Sequence, residues 1–155
     1  MGKRLLFKKS KKSRSKKSNF LEIFIEKPSI HHKKSEKIIK QYPRIVQKLI
    51  QKLKHGTRRA KNEKGYTVYF RGKEYYIQKD HGEGCLTVSD FSKLTPDKVI
   101  FVAQPTEVYL LHTHPFSAYP YPSPLDLDTA KRFRDYYRNA RVHCVVIGRK
   151  AVYVY

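Results

Sequence analysis

Residues 110–128 read LLHTHPFSAYPYPSPLDLD, in which an apolar run carries two histidines, a proline-rich loop follows, and Ser-Pro-Leu-Asp comes next. The run that begins at residue 107, EVYLLHTH, is apolar enough to predict an interior β-strand. Residues i and i+2 of a strand point to the same side, so His112 and His114 present their imidazoles together while Thr113 faces away. The stretch therefore predicts a strand, a stiff loop and a helix, with two candidate ligands where the strand ends.

Two neutral imidazoles on one face of a strand supply half of a zinc site. Asp126 is available as a third ligand because the intervening loop can bend back toward the end of the strand. Two histidines and one carboxylate leave the fourth tetrahedral position to water, which is the pattern of a catalytic zinc. A zinc ion lowers the pKa of its bound water to about 7. We therefore predict zinc (Zn2+) as the cofactor.

The same residues also have a purely structural explanation. Ser123 suits an N-cap, Pro124 the first helical position and Asp126 the third, which is a variant of the capping box. A pair of histidines on a strand equally suits packing or surface positions. Only the combination of the two features points to a metal centre.

The combination HTHP, loop and SPLD resembles the JAMM motif of the MPN+ (JAB domain) zinc metalloproteases. That motif has an upstream glutamate, then His-x-His-Pro, a loop and Ser-x-x-Asp. The loop here, residues 115–122, is one residue longer than is usual in that family, and loops absorb insertions at little cost. The resemblance implies that His112, His114 and Asp126 bind zinc and that Ser123 donates a hydrogen bond to the developing oxyanion.

The resemblance also implies an upstream glutamate that acts as general base. Glu63, in NEKGYTVYF, follows a predicted helix and opens a predicted hairpin, which is the setting of the family's glutamate. Glu74 lies within the second hairpin strand, Glu83 in a glycine-rich turn and Glu107 at the start of the histidine-bearing strand. We therefore expect Glu63 to be the base.

Hydrophobic periodicity organises the rest of the chain. It predicts an amphipathic helix over 43–60, a hairpin within 65–80, short strands over 85–91 and 98–103, a helix over 124–138 and two closing strands. Helices separated by groups of strands predict an α+β fold. This order follows that of MPN domains, so the resemblance implies an α/β/α layered, MPN/JAB-like mixed β-sheet flanked by helices over 43–155. Residues 20–42 are expected to form a linker or extended segment.

Positive charge is concentrated at the start of the chain. Of the formal net charge of +21, nine units lie in residues 1–19, which contain no acid, and +12 remain on the rest. Such a block cannot bury enough apolar surface to fold, so it predicts a disordered basic arm whose partner is nucleic acid or another polyanion. The candidate polyanion-binding residues are Lys3, Arg4, Lys8, Lys9, Lys11, Lys12, Arg14, Lys16 and Lys17.

Cysteine content and hydropathy restrict the cellular setting. Cys85 and Cys144 are too few for a disulfide framework, and each is expected to be a small buried apolar residue. No run of residues approaches the length of a membrane span. The protein is expected to be soluble and cytoplasmic.

The function that the resemblance implies is zinc-dependent hydrolysis of a peptide or isopeptide bond, in a ubiquitin-like conjugate or a protein precursor. The alternative is a nucleic-acid-binding protein that uses a JAB-like scaffold and the basic arm without catalysis. A metal-dependent nuclease fits less well, because nucleases typically use carboxylate-rich magnesium sites. The sequence leaves the substrate and the oligomeric state open.

Overall fold

The computed structural model describes residues 27–80 and 93–155, which form an α+β fold of four helices and one five-stranded mixed sheet. The helices are α1 (Ile30–Ile39), α2 (Arg44–Gly56), α3 (Pro96–Ala103) and α4 (Pro124–Tyr136). The strands are β1 (Gly65–Arg71), β2 (Glu74–Asp80), β3 (Glu107–Thr113), β4 (Arg141–Ile147) and β5 (Val152–Val154).

The sheet has the strand order β2-β1-β3-β4-β5. Strands β3 and β4 are parallel, joined by the crossover through α4, and the other neighbouring pairs are antiparallel. Strand β3 is therefore central, and its register pairs His112 with Gly65 of β1 and with Val146 of β4. The first histidine of the motif is held by strands on both sides.

Helices cover both faces of the sheet, because the strand residues alternate between two apolar clusters. On one face, α2 packs through Val46, Leu49, Ile50 and Leu53. On the other face, Val102 of α3 and the α4 residues Ala130 and Phe133 contact the opposite side of the same strands. The layers are thus helix, sheet and helix.

Several predicted elements are confirmed. Helix α2 lies within the predicted 43–60 and ends at Gly56, while α4 lies within 124–138. The predicted hairpin is β1 and β2, and its turn uses Gly72 at a φ of 64°, which suits glycine. Cys144 is buried, as expected, and burial raises the pKa of its thiol to about 11.

Two predicted elements are wrong. Residues 98–103, expected to form a strand, belong to helix α3. Residues 30–39, expected to be part of a linker or extended segment, form helix α1, which packs against β5. The predicted arm over 1–19, the strand over 85–91 and Cys85 lie outside the described residues.

The helices that the structure describes are too short or too polar to span a lipid bilayer.

Candidate metal centre

The candidate centre forms where β3 ends and α4 begins. His112 is the second-last residue of β3, His114 lies just beyond the strand, and Asp126 is the third residue of α4. The imidazole rings of His112 and His114 have their centroids 5.1 Å apart, so the two side chains lie together. The chain returns to them through the loop of residues 115–122.

The Asp126 carboxylate faces both imidazoles. Its Oδ1 lies 3.1 Å from His112 Nε2, and its Oδ2 lies 3.1 Å from His114 Nε2. The three side chains are only 12%, 16% and 14% exposed for His112, His114 and Asp126. Burial by itself raises the pKa of Asp126, but the two imidazoles and the Ser123 N–H together hold it well below its ordinary value. Asp126 is therefore a carboxylate, the form that binds metal.

Glu63 completes the group from the start of β1. Its Oε2 lies 3.9 Å from His114 Nε2, and the ligand atoms of Glu63, His112 and His114 all lie within 4.8 Å of one another. Lys64 N donates to Thr113 Oγ1 at 2.9 Å, and Thr113 N donates to Lys64 O at 2.9 Å. These two bonds join the residue after Glu63 to the end of β3, which keeps Glu63 beside His114.

The alternative glutamates occupy other positions. Glu74 lies opposite Arg71 at the hairpin turn, whereas His112 lies opposite Gly65 at the other end of β1. Glu107 lies at the opposite end of β3, where it accepts a hydrogen bond from Tyr109 and forms an ion pair with Arg141. Glu83 is outside the described residues. Among the glutamates of residues 27–80 and 93–155, Glu63 is the one that reaches His112 and His114.

Ser123 and Asp126 form the predicted capping box of α4. Asp126 N donates to Ser123 Oγ at 3.1 Å, and Ser123 N donates to Asp126 Oδ2 at 2.9 Å. Oδ2 therefore contacts both the backbone of Ser123 and the imidazole of His114. The cap explains the presence of the residues structurally, and it also orients the carboxylate toward the histidines. Because Ser123 Oγ acts as an acceptor in the cap, its O–H can still donate elsewhere.

The loop of residues 115–122 is anchored along its length. Ser117 O and Ala118 O accept hydrogen bonds from the turn between β4 and β5. Gly148 of that turn lies so close that a Cβ there would be 2.5 Å from Pro120 Cδ and 2.6 Å from Ser117 O. His32 of α1, buried, contacts Pro120 O through Nε2 at 2.7 Å. These contacts add to the stiffness expected from the prolines.

Local sequence patterns do not indicate the roles of His32 and Gly148. The contact from His32 to the loop joins residues 88 positions apart, and no local pattern reports such a pair. Gly148 follows an apolar strand and could have been recognised as a turn residue, but not as the residue that makes room for Pro120.

The donor atoms of His112, His114 and Asp126 have the separations of ligands around one metal ion. Two ligands bound to tetrahedral zinc at 2.0–2.1 Å are separated by about 3.3 Å. The separations of 3.1 Å between Asp126 oxygens and imidazole nitrogens are close to that value. His112 Nε2 is buried and, although near Asp126, has no well-aligned hydrogen-bond partner. A buried imidazole nitrogen without an aligned partner is uncommon in folded proteins, and a metal ion would satisfy it.

Comparisons of the chain with models of protein families, with curated proteins and with solved structures found no match.

Proposed function

We propose that this protein is a zinc-dependent hydrolase of the JAMM type, with an MPN/JAB-like domain over residues 43–155, that cleaves a peptide or isopeptide bond. The observation that carries the proposal is the convergence of Glu63, His112, His114 and Asp126 at the end of β3. Two imidazoles and one largely buried carboxylate are a catalytic ligand set, and a second carboxylate beside them can exchange protons.

His112, His114 and Asp126 would hold the ion, with Asp126 oriented by the Ser123 cap. When bound, zinc supplies an activated water near neutral pH and polarises the scissile carbonyl. Glu63 is the outer member of the group, since its side chain is 51% exposed and lies farther from His114 than Asp126 does. This position suits a base that accepts a proton from water and passes it to the leaving amine, rather than a fourth ligand.

Ser123 is the group that would stabilise the oxyanion. Its Oγ lies at the N-terminus of α4, where the helix dipole also favours negative charge. A single donor of this kind typically contributes about 10²–10³ in kcat. The substrate is expected to be a protein or peptide, with ubiquitin-like conjugates among the candidates.

The first test is the zinc content of the purified, untagged protein by mass spectrometry, beside His114→Ala. We expect about one zinc per chain in the parent protein and loss of zinc in the variant. His55→Ala is the matched control, because His55 is an exposed histidine in the last turn of α2. Absence of zinc from the parent protein after reconstitution, or retention in His114→Ala, would contradict the proposed centre.

A further inference from the structure

Helix α2 and the segment that follows it carry a dense positive surface. Residues 44–64 contain eight Lys or Arg and a single acid, Glu63. The apolar side of α2 packs on the sheet, so the cations lie on the outside. Seven of them are exposed, and they define the basic face: Arg44, Lys48, Lys52, Arg58, Arg59, Lys61 and Lys64.

The charge of the basic face is not compensated within the described residues. None of its cations forms an ion pair with an acid of residues 27–80 or 93–155. Lys52 lies 5.7 Å from the centre of the Tyr66 ring, a contact that leaves its charge in place. Two exposed cations of α4 differ, since Lys131 and Arg132 each lie 2.9 Å from an aspartate oxygen.

The cations of α2 form a regular row. Arg44, Lys48 and Lys52 follow one another at intervals of four residues, which places them on one side of the helix about 6 Å apart along its axis. Arg58 and Arg59 continue the positive surface beyond the helix. A row of this kind suits a partner whose negative charges also repeat regularly.

Apolar groups that a membrane or a protein partner would need are missing from this surface. No large apolar side chain of residues 44–64 is exposed, and these residues are all described. An interfacial membrane helix buries its apolar face in lipid, whereas that face of α2 is already packed on the sheet. Protein interfaces are depleted in Lys and use aromatic or apolar anchors at their centres.

We propose that the basic face binds the phosphate backbone of double-stranded nucleic acid through charge, without reading base sequence. This activity is separate from the proposed hydrolysis and does not depend on it. It also differs from binding by the arm, because it belongs to a helix of the folded domain. Lys61 and Lys64 flank Glu63, so the bound backbone would run beside the candidate metal centre.

The test compares two double variants of the full chain that each remove two positive charges. Arg44→Gln/Lys48→Gln removes unpaired cations from the basic face, and Lys131→Gln/Arg132→Gln removes paired cations from α4. Binding to a fluorescein-labelled DNA duplex is measured by anisotropy over a series of salt concentrations. Each lost phosphate contact reduces the slope of log K against log salt by about 0.9, so we expect a reduction of about 2 for the first variant and none for the second.

Three outcomes would overturn the proposal. The first is an unchanged slope in Arg44→Gln/Lys48→Gln, and the second is an equal reduction in both variants, which would report net charge alone. The third is an Arg44→Gln/Lys48→Gln variant that still binds DNA like the parent protein but no longer binds phosphatidylserine vesicles or polyglutamate. Circular dichroism checks the fold, and Arg58→Gln/Arg59→Gln, in the turn after α2, repeats the test if the first variant does not fold.

Discussion

Asp126 serves helix α4 and the candidate metal centre with one carboxylate. The N–H of Ser123 donates to Oδ2, and this bond fixes the side chain in the direction of His114. A ligand held by such a bond needs no further ordering when the metal binds. Helix capping and metal binding are therefore complementary explanations of the SPLD sequence, and a variant of Asp126 would disturb both.

Glu63→Gln separates the proposed chemistry from metal binding. The amide has the same shape but cannot accept a proton from water, so we expect zinc content to be retained and hydrolysis of peptide or isopeptide substrates to fall by at least about 10²-fold. Glu74→Gln is the matched control, since Glu74 is an exposed glutamate at the hairpin turn. Full activity in Glu63→Gln would show that another group is the base.

The residues of the centre differ in how far sequence could predict them. His112, His114 and Asp126 lie within one short stretch in which strand and helix periodicity fix the direction of each side chain. Glu63 is 49 positions before His112, and only the family resemblance indicated it. His32 was missed, because its role depends on a contact with Pro120 that no local pattern reveals.

At the level of elements, the two wrong predictions have different causes. The run KVIFVA is apolar and β-branched, which does not distinguish a buried strand from a short helix. The residues that precede this run favour a helix, because Pro96 is in the first turn of α3 and Thr95 donates to Asp97 Oδ1 at 2.6 Å. Helix α1 forms hydrogen bonds with β5 through His31 and Ser35, and its sequence lacks the apolar periodicity of an amphipathic helix.

His32 links α1 to the loop that leads to Ser123, and its substitution tests this link. Nδ1 accepts from Ser29 N at 2.9 Å, so Nε2–H is the donor to Pro120 O at 2.7 Å. His32→Ala leaves both partners unsatisfied and opens a cavity at a site that is 1% exposed. We expect the free energy of unfolding to fall by about 2–4 kcal/mol, with weaker zinc binding.

Thermal unfolding and zinc competition measure these two effects. His32→Gln keeps a donor near the position of Nε2 and should recover part of both losses. Lys33→Ala, at an exposed position of the same helix, is the control and should behave as the parent protein. Stability and zinc affinity unchanged in His32→Ala would mean that α1 does not support the loop.

For the whole molecule, the sheet and its two layers of helices determine where the candidate metal centre and the basic face lie. The face of the sheet that packs on α3 and α4 carries His112 near the end of its central strand, and the opposite face carries α2 with the basic face. The α+β class was predictable because strands and helices of the second half have clear periodicity. The charge of α2 was visible in the sequence, but its exposure and lack of ion pairs required the packing of the helix.

Deletion of residues 1–19 tests how much of the DNA binding comes from the basic arm and how much from the folded domain. A like-charged segment with few apolar residues contributes little to packing, so we expect the melting temperature to change by less than about 2 °C and zinc content to stay the same. Binding to duplex DNA should weaken, and its salt dependence should become less steep by about 0.9 for each lost phosphate contact. The salt-dependent binding that remains should weaken further in the truncated chain that also carries Arg44→Gln/Lys48→Gln, because two cations of the basic face are then removed as well. A truncated chain without a cooperative unfolding transition would contradict the expectation that residues 1–19 lie outside the fold.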